Sequence, residues 1–153
     1  MPQYRQQGFT LIELMVVLVI VGIASAAVSI SIKPDPLQLL RKDANRLVQL
    51  LQIAQAEARA DGRPISWEHN GRGFQFSRRS DEGFGFDHFT QDPQLHPRTW
   101  ETPSLKIRVT PKQRVVLNAE WFNPPLQLEL SDGRNRLVVQ QTADGQIRVV
   151  SAP

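Results

Sequence analysis

An apolar run at residues 9–32, broken by a single charge at Glu13, constrains this chain more than any other feature, and from Lys33 onward the sequence turns rich in Arg, Gln and Asp. Wound as an α-helix at 1.5 Å per residue, the run extends roughly 36 Å, enough to cross a hydrocarbon core about 30 Å thick. A secretory signal has an apolar region of only about 7 to 15 residues before a small-x-small cleavage site. Ala24-Ser25-Ala26-Ala27 imitates such a site, but the run is too long for that class. One end of the chain suits lipid and the other suits water. Arg5 ahead of the run favours a cytoplasmic N-terminus and an exported C-terminal part, which Lys33 opposes weakly.

Glu13 is costly where it stands. A carboxylate inside an apolar segment costs on the order of 3 kcal/mol or more, which makes an intramembrane ionisable residue a functional candidate. The bland alternative is a carboxylate that snorkels to the headgroups from near the helix end. Its surroundings, Gly8-Phe9-Thr10-Leu11-Ile12-Glu13-Leu14, closely resemble the processing site of type IV pilins and type II secretion pseudopilins. The resemblance implies that residues 1–8 are a leader removed by a prepilin peptidase between Gly8 and Phe9, and that Phe9 is then N-methylated. Residues 9–32 would stay in the membrane. Cleavage would place the Phe9 amine four residues from Glu13, on one helical face, where the carboxylate could meet its own amine or that of a neighbouring subunit.

Past the run, residues 33–62 read as a break and an exported amphipathic helix. Pro34 and Pro36 interrupt a helix because each lacks an amide donor and disfavours helical geometry in the residue before it. The expectation is a long N-terminal helix with a kink or short break at these prolines, after which a second helical segment starts at once. Asp35 then suits an N-cap, Pro36 the first helical position, and Gln38 a capping-box partner. Leu40, Ala44, Leu47, Leu51, Ala54 and Ala58 recur at spacings of four and three, a single stripe suited to a helix–sheet core. Asp61-Gly62 and Pro64 end the helix.

Residues 63–153 read as an antiparallel β domain. Strands are expected at 65–69 and 74–78, joined through Asn70-Gly71-Arg72-Gly73, and at 105–109, 114–117, 126–130, 136–141 and 147–150. Asp132-Gly133 and Asp144-Gly145 fall between the last three strands, which makes those a meander. Residues 80–103, rich in Asp, Gly, Pro and aromatics without periodicity, read as a long surface loop. The whole is an α+β, pilin-like architecture: a long N-terminal helix on an antiparallel β-sheet.

Within that class, residues 47–65, with Ala54, Ala56-Glu57-Ala58 and Gly62-Arg63-Pro64, resemble the minor pseudopilins of the H group of type II secretion. Related minor pilins of the FimT and FimU type share the segment. The resemblance implies a structural subunit of a periplasmic pseudopilus that helps move folded exoproteins across the outer membrane. Its implied partners are the major pseudopilin, the other minor pseudopilins, the prepilin peptidase and exoprotein cargo. The protein would sit in the bacterial inner membrane as a single-pass chain with a periplasmic C-terminal domain.

Little in the sequence suggests chemistry. His69, His88 and His96 are scattered without an i, i+4 pair, and with no cysteine present no zinc set forms. Asp81, Glu82, Asp87 and Asp92 offer oxygen ligands, but their spacing matches no calcium loop, so an acidic surface is the simpler reading. No nucleophile elbow, phosphate loop or dinucleotide fingerprint occurs, so neither an enzyme nor a cofactor is expected. Trp67, Trp100 and Trp121 suit either core or interface. A formal net charge of +3 is a mild bias. The competing function is a minor type IV pilin for pilus assembly or DNA uptake, in which Arg134, Arg136 and Arg148 meet phosphates. Asp132 and Asp144 are interleaved with these arginines, so DNA binding is the lesser reading.

Overall fold

The computed structural model describes residues 9–30, 33–120 and 124–151, with backbone alone for 28–30. The leader with Gly8, and Trp121, lie outside the described residues. Contacts divide the chain into two units, Met1–Pro34 and Asp35–Pro153.

In the first unit, helix α1 spans Leu11–Ile30. It begins where the Thr10 carbonyl accepts from the Glu13 and Leu14 amides. The interruption expected at the prolines is a break: α1 ends at Ile30, α2 starts at Pro36, and residues 33–35 belong to neither. The prolines supply the reason, since Pro34 and Pro36 offer no amide to continue the ladder.

Helix α2, Pro36–Asp61, opens on Asp35, whose Oδ1 accepts from the Leu37 amide at 3.0 Å. It closes on Gly62 at φ 65°, a left-handed conformation that glycine adopts without a Cβ clash. The stripe residues Leu40, Ala44, Leu47, Leu51, Ala54 and Ala58 are all buried. Each leucine among them gains about 1.5–3 kcal/mol from burial.

The strands are β1 (Ile65–His69), β2 (Gly73–Arg79), β3 (Phe86–Asp87), β4 (Arg98–Thr99), β5 (Lys106–Thr110), β6 (Val115–Leu117), β7 (Leu126–Ser131), β8 (Arg136–Gln141) and β9 (Ile147–Ser151). They form two antiparallel sheets where the sequence suggested one. The first runs β3-β2-β1-β6 with β4 added to β2, and the second runs β5-β7-β8-β9. Helix α2 packs on both, touching β1 and β6 of the first and β7, β8 and β9 of the second. Alternation reveals which side chains face inward but not which sheet a strand joins. Pro124 and Pro125 explain the split, because they precede β7 and cannot extend a ladder from β6.

Turn chemistry sets the registers. Between β1 and β2, Asn70 Oδ1 accepts from the Arg72 and Gly73 amides, and the Asn70 amide donates to the Gly73 carbonyl at 2.8 Å. The hairpin therefore closes as an Asx turn. Gly133 and Gly145 take φ of 96° and 83° in the two turns of the β7-β8-β9 meander.

Residues 80–103 are not simply a surface loop. They contribute β3 and β4 to the edge of β2 and bury Phe89, Leu95, Trp100 and Thr102. Two-residue strands and isolated buried side chains carry no periodicity, which is why the pattern concealed them.

Candidate assembly surfaces

Phe9 and Glu13 lie at the start of α1, with Glu13 in the first turn, where the helix dipole favours an anion. None of the ion pairs among the described residues includes Glu13. The apolar side chains from Leu11 to Ile23 are 47% to 82% exposed on every side of the helix. A helix apolar all round is the kind that lies in lipid or among other helices. Among the described residues, no helix is long and apolar enough to cross a membrane.

The second unit is held by a group that periodicity did not single out. Asp43 is 0% exposed, and its carboxylate accepts from Arg46 Nη2 at 2.8 Å, from the Glu101 amide at 3.1 Å to each oxygen, and from the Thr102 amide at 2.8 Å. Arg46 also donates to the Thr99 carbonyl at 2.8 Å, and Lys42 pairs with Glu101 at 2.9 Å. These bonds tie α2 to residues 99–102. The available signal was position: Asp43 falls three residues after Leu40 and four before Leu47, on the apolar stripe itself.

Three of the acidic residues of the 80–103 segment, Asp81, Asp87 and Asp92, have structural work. Asp81 pairs with Arg63 at 2.6 Å, Asp87 accepts from the Phe89 amide, and Asp92 accepts from the Gln94 and Leu95 amides. No group of three or more His, Asp or Glu among the described residues could hold a metal ion. Phe84, 92% exposed between Gly83 and Gly85, forms the tip of the segment.

The three histidines stand apart. His96 sets Nδ1 3.0 Å from the Asp92 carbonyl. His69 is open along its edge, but its ring stacks on Trp67 at 5.0 Å, and the loss of water on that side pushes its pKa below the ordinary value. Trp67 and Trp100 are core residues, with the Trp100 indole donating to the Asn70 carbonyl at 3.2 Å.

The arginines proposed for nucleic acid do not gather into one cluster. Arg134 sits in the β7–β8 turn, and Arg136 lies opposite Ser131 with its Nε 3.5 Å from Glu129. Arg148 lies opposite Gln140, about 13 Å further along β8. Acids accompany them. Asp144 is held below the usual carboxylate range by the Thr142 hydroxyl, with Arg148 a smaller contributor. Asp132 is held low by hydrogen bonds from Asn135.

Comparison with known proteins follows the same division. The prokaryotic N-terminal methylation motif matches residues 3–29, and the family described as type II transport protein GspH matches residues 43–150. The type II secretion system protein H of Aeromonas hydrophila is 35% identical over 83 residues, which is 52% of this chain and 44% of that protein. The chain thus aligns with less than half the length of that relative. The minor pseudopilin EpsH from the type 2 secretion system of Vibrio cholerae superposes with a TM-score of 0.59 at 14% identity, over 73% of this chain and 96% of that one. The type IV minor pilin FimU of Pseudomonas aeruginosa superposes with a TM-score of 0.53 at 17% identity, over 74% and 88%. Both likenesses speak to the fold, which is the pilin-like α+β class.

Proposed function

Because the chain belongs to the GspH family of type II transport proteins, we propose that it is a minor pseudopilin of the type II secretion system, a structural subunit of a periplasmic pseudopilus that helps move folded exoproteins across the outer membrane. The match of that family across residues 43–150 carries the reading, and the methylation motif at 3–29 supports its N-terminal half. Its neighbours are the major pseudopilin and the other minor pseudopilins. The prepilin peptidase cuts between Gly8 and Phe9 and leaves Phe9 methylated. The apolar run from residue 9 to 32 then holds the chain in the inner membrane, N-terminus inside and β domain in the periplasm.

Glu13 serves assembly in this reading. Its carboxylate draws the Phe9 amine of an adjacent subunit, or neutralises its own, in a medium that screens charge poorly. Replacing Glu13 with Leu removes the only charge of the run and eases insertion by a few kcal/mol. The membrane level and cleavage at Gly8 should therefore persist while cross-linking to neighbouring pseudopilins and secretion fall. Glu13→Asp, shorter by one methylene, should recover part of the cross-linking. Assembly and secretion by Glu13→Leu at the wild-type level would remove this role. Intact mass of the membrane-extracted chain tests the processing, with a start at Phe9 expected and a start at Met1 or near Ala27 contradicting it.

A further inference from the structure

β5 is an end strand. It pairs with β7 on one side, and no backbone bond outside that ladder reaches it among the described residues. It also borders a groove of about 760 Å³ lined by Ile107, Arg108, Val109 and Thr110 together with His69, Lys112 and Gln113. Four consecutive residues line this groove. A sheet face presents alternate residues, so consecutive lining means the groove runs along the strand's backbone edge. A second recess of about 400 Å³ shares His69, Val109 and Gln113 and continues past Arg114 and Val115 towards β6. The open edge therefore lies between the two sheets.

The larger part of the groove is lined by cations, with Glu129 opposite Arg108 on the neighbouring strand β7. No carboxylate lines the larger part, where Arg108 and Lys112 make no ion pair within 4.0 Å among the described residues. In the recess, Glu68 is already held by Arg114 at 2.9 Å. Ile107 and Val109 are half-buried against the core and offer apolar contact on the strand face opposite to Arg108.

We infer that the free edge of β5 takes up an extended, acidic segment of a partner protein as an added antiparallel strand, with its carboxylates over Arg108 and Lys112 and its apolar residues against Ile107 and Val109. Backbone hydrogen bonds supply the attachment, and the alternate side chains supply the choice. Cationic residues beside an exposed edge are one device by which proteins keep unwanted strands away, and they turn away basic strands more than acidic ones. The inference stands on the groove alone and does not depend on the secretion role.

The test uses the full chain in detergent micelles and a labelled, capped peptide of about seven residues that alternates glutamate with valine. Fluorescence anisotropy should show saturable binding. Replacing the glutamates by lysine should abolish it. The Arg108→Ala, Lys112→Ala double variant should weaken it about fivefold or more, as expected for two exposed charge pairs. Two further peptides, N-methylated on one edge or the other, leave the protein untouched and bypass any folding defect of the variant. One should lose about tenfold or more in affinity while the other binds as before, because only one edge of the peptide can pair with β5. The inference is overturned if the acidic peptide does not bind, if the lysine peptide binds equally, or if both methylated peptides match the parent. Equal competition by a single-stranded oligonucleotide, with methylation irrelevant, would overturn it in favour of a simple polyanion patch.

Discussion

Replacing Asp43 with alanine takes away the acceptor for three donors at once. The Thr102 amide loses its partner in a buried position and the Glu101 amide in a partly buried one, and Arg46 keeps only the Thr99 carbonyl at 2.8 Å and a longer contact to Glu101 at 3.6 Å. A hydrogen bond to a charged group is worth about 1.5–3 kcal/mol, but the bonds share one carboxylate and do not add. Removing one partner of a fully buried pair costs about 3–5 kcal/mol, and because Arg46 is 25% exposed and keeps other partners the lower end applies here. Against a typical stability of about 5–15 kcal/mol, the alanine variant should lose about a fifth or more of the total. Its melting temperature should fall by roughly 10–20 °C for a domain of this size. Lys42→Ala is the control. That lysine is 65% exposed in its pair with Glu101, and such surface pairs contribute at most about 1 kcal/mol. Near-UV circular dichroism reports directly, because Trp100 adjoins the anchored amides, and hydrogen exchange reads the Glu101 and Thr102 amides one by one. An Asp43→Ala protein that melts within a few degrees of wild type, with both amides still protected, would refute the account.

Three other expectations follow from single sites. Gly73→Ala would place a Cβ 2.2 Å from the Arg98 carbonyl oxygen, so β4 must leave β2 and stability should fall by about 1–3 kcal/mol; unchanged urea midpoints would contradict this. His69 has a lowered pKa through burial, so the unfolded chain binds the proton more readily. Its stability contribution is complete above the ordinary value near 6.5 and declines as pH falls towards the native value; His69→Gln should flatten the denaturation midpoint across that window. Replacing Arg134, Arg136 and Arg148 together should leave duplex DNA binding by the full chain unchanged at two salt concentrations. A strongly salt-dependent affinity that vanishes in the triple variant would instead favour the DNA-uptake reading.

The legible parts of this fold are those in which one residue decides one local geometry. Asp35, Pro36 and Gly62 mark the ends of α2 because capping, a missing amide and a left-handed φ are each the property of a single side chain. The strands were legible through alternation, and β1 and β8 match their expected ends. What stayed hidden depends on partners distant in sequence. Nothing in residues 114–117 tells whether that strand joins β1 or β7. Nothing in Trp100 tells that its ring will rest 4.5 Å from Phe74. Asp43 was concealed for the opposite reason: it stands on a clear stripe, and reading the stripe by its apolar members alone passed over the one charge within it.

The two halves of the chain differ in where their stability originates, and that difference bears on Glu13. The β domain buries its own stripe, its three donors on Asp43 and the inner faces of both sheets. Helix α1 buries nothing of its own among the described residues, since its apolar side chains are open on every side. Whatever surrounds it must cover it, and lipid does so without preference for one rotation or depth. Contacts between helices in lipid are weak, with polar bonds averaging about 0.6 kcal/mol and rarely exceeding 2 kcal/mol. A carboxylate and an amine 4 Å apart attract by about 4 kcal/mol at an effective dielectric of 20. Under the proposed assembly role, that single pairing outweighs several ordinary helix contacts and acts only at one axial position. On that proposal, uniform apolar surface gives α1 affinity for its surroundings and Glu13 gives it register.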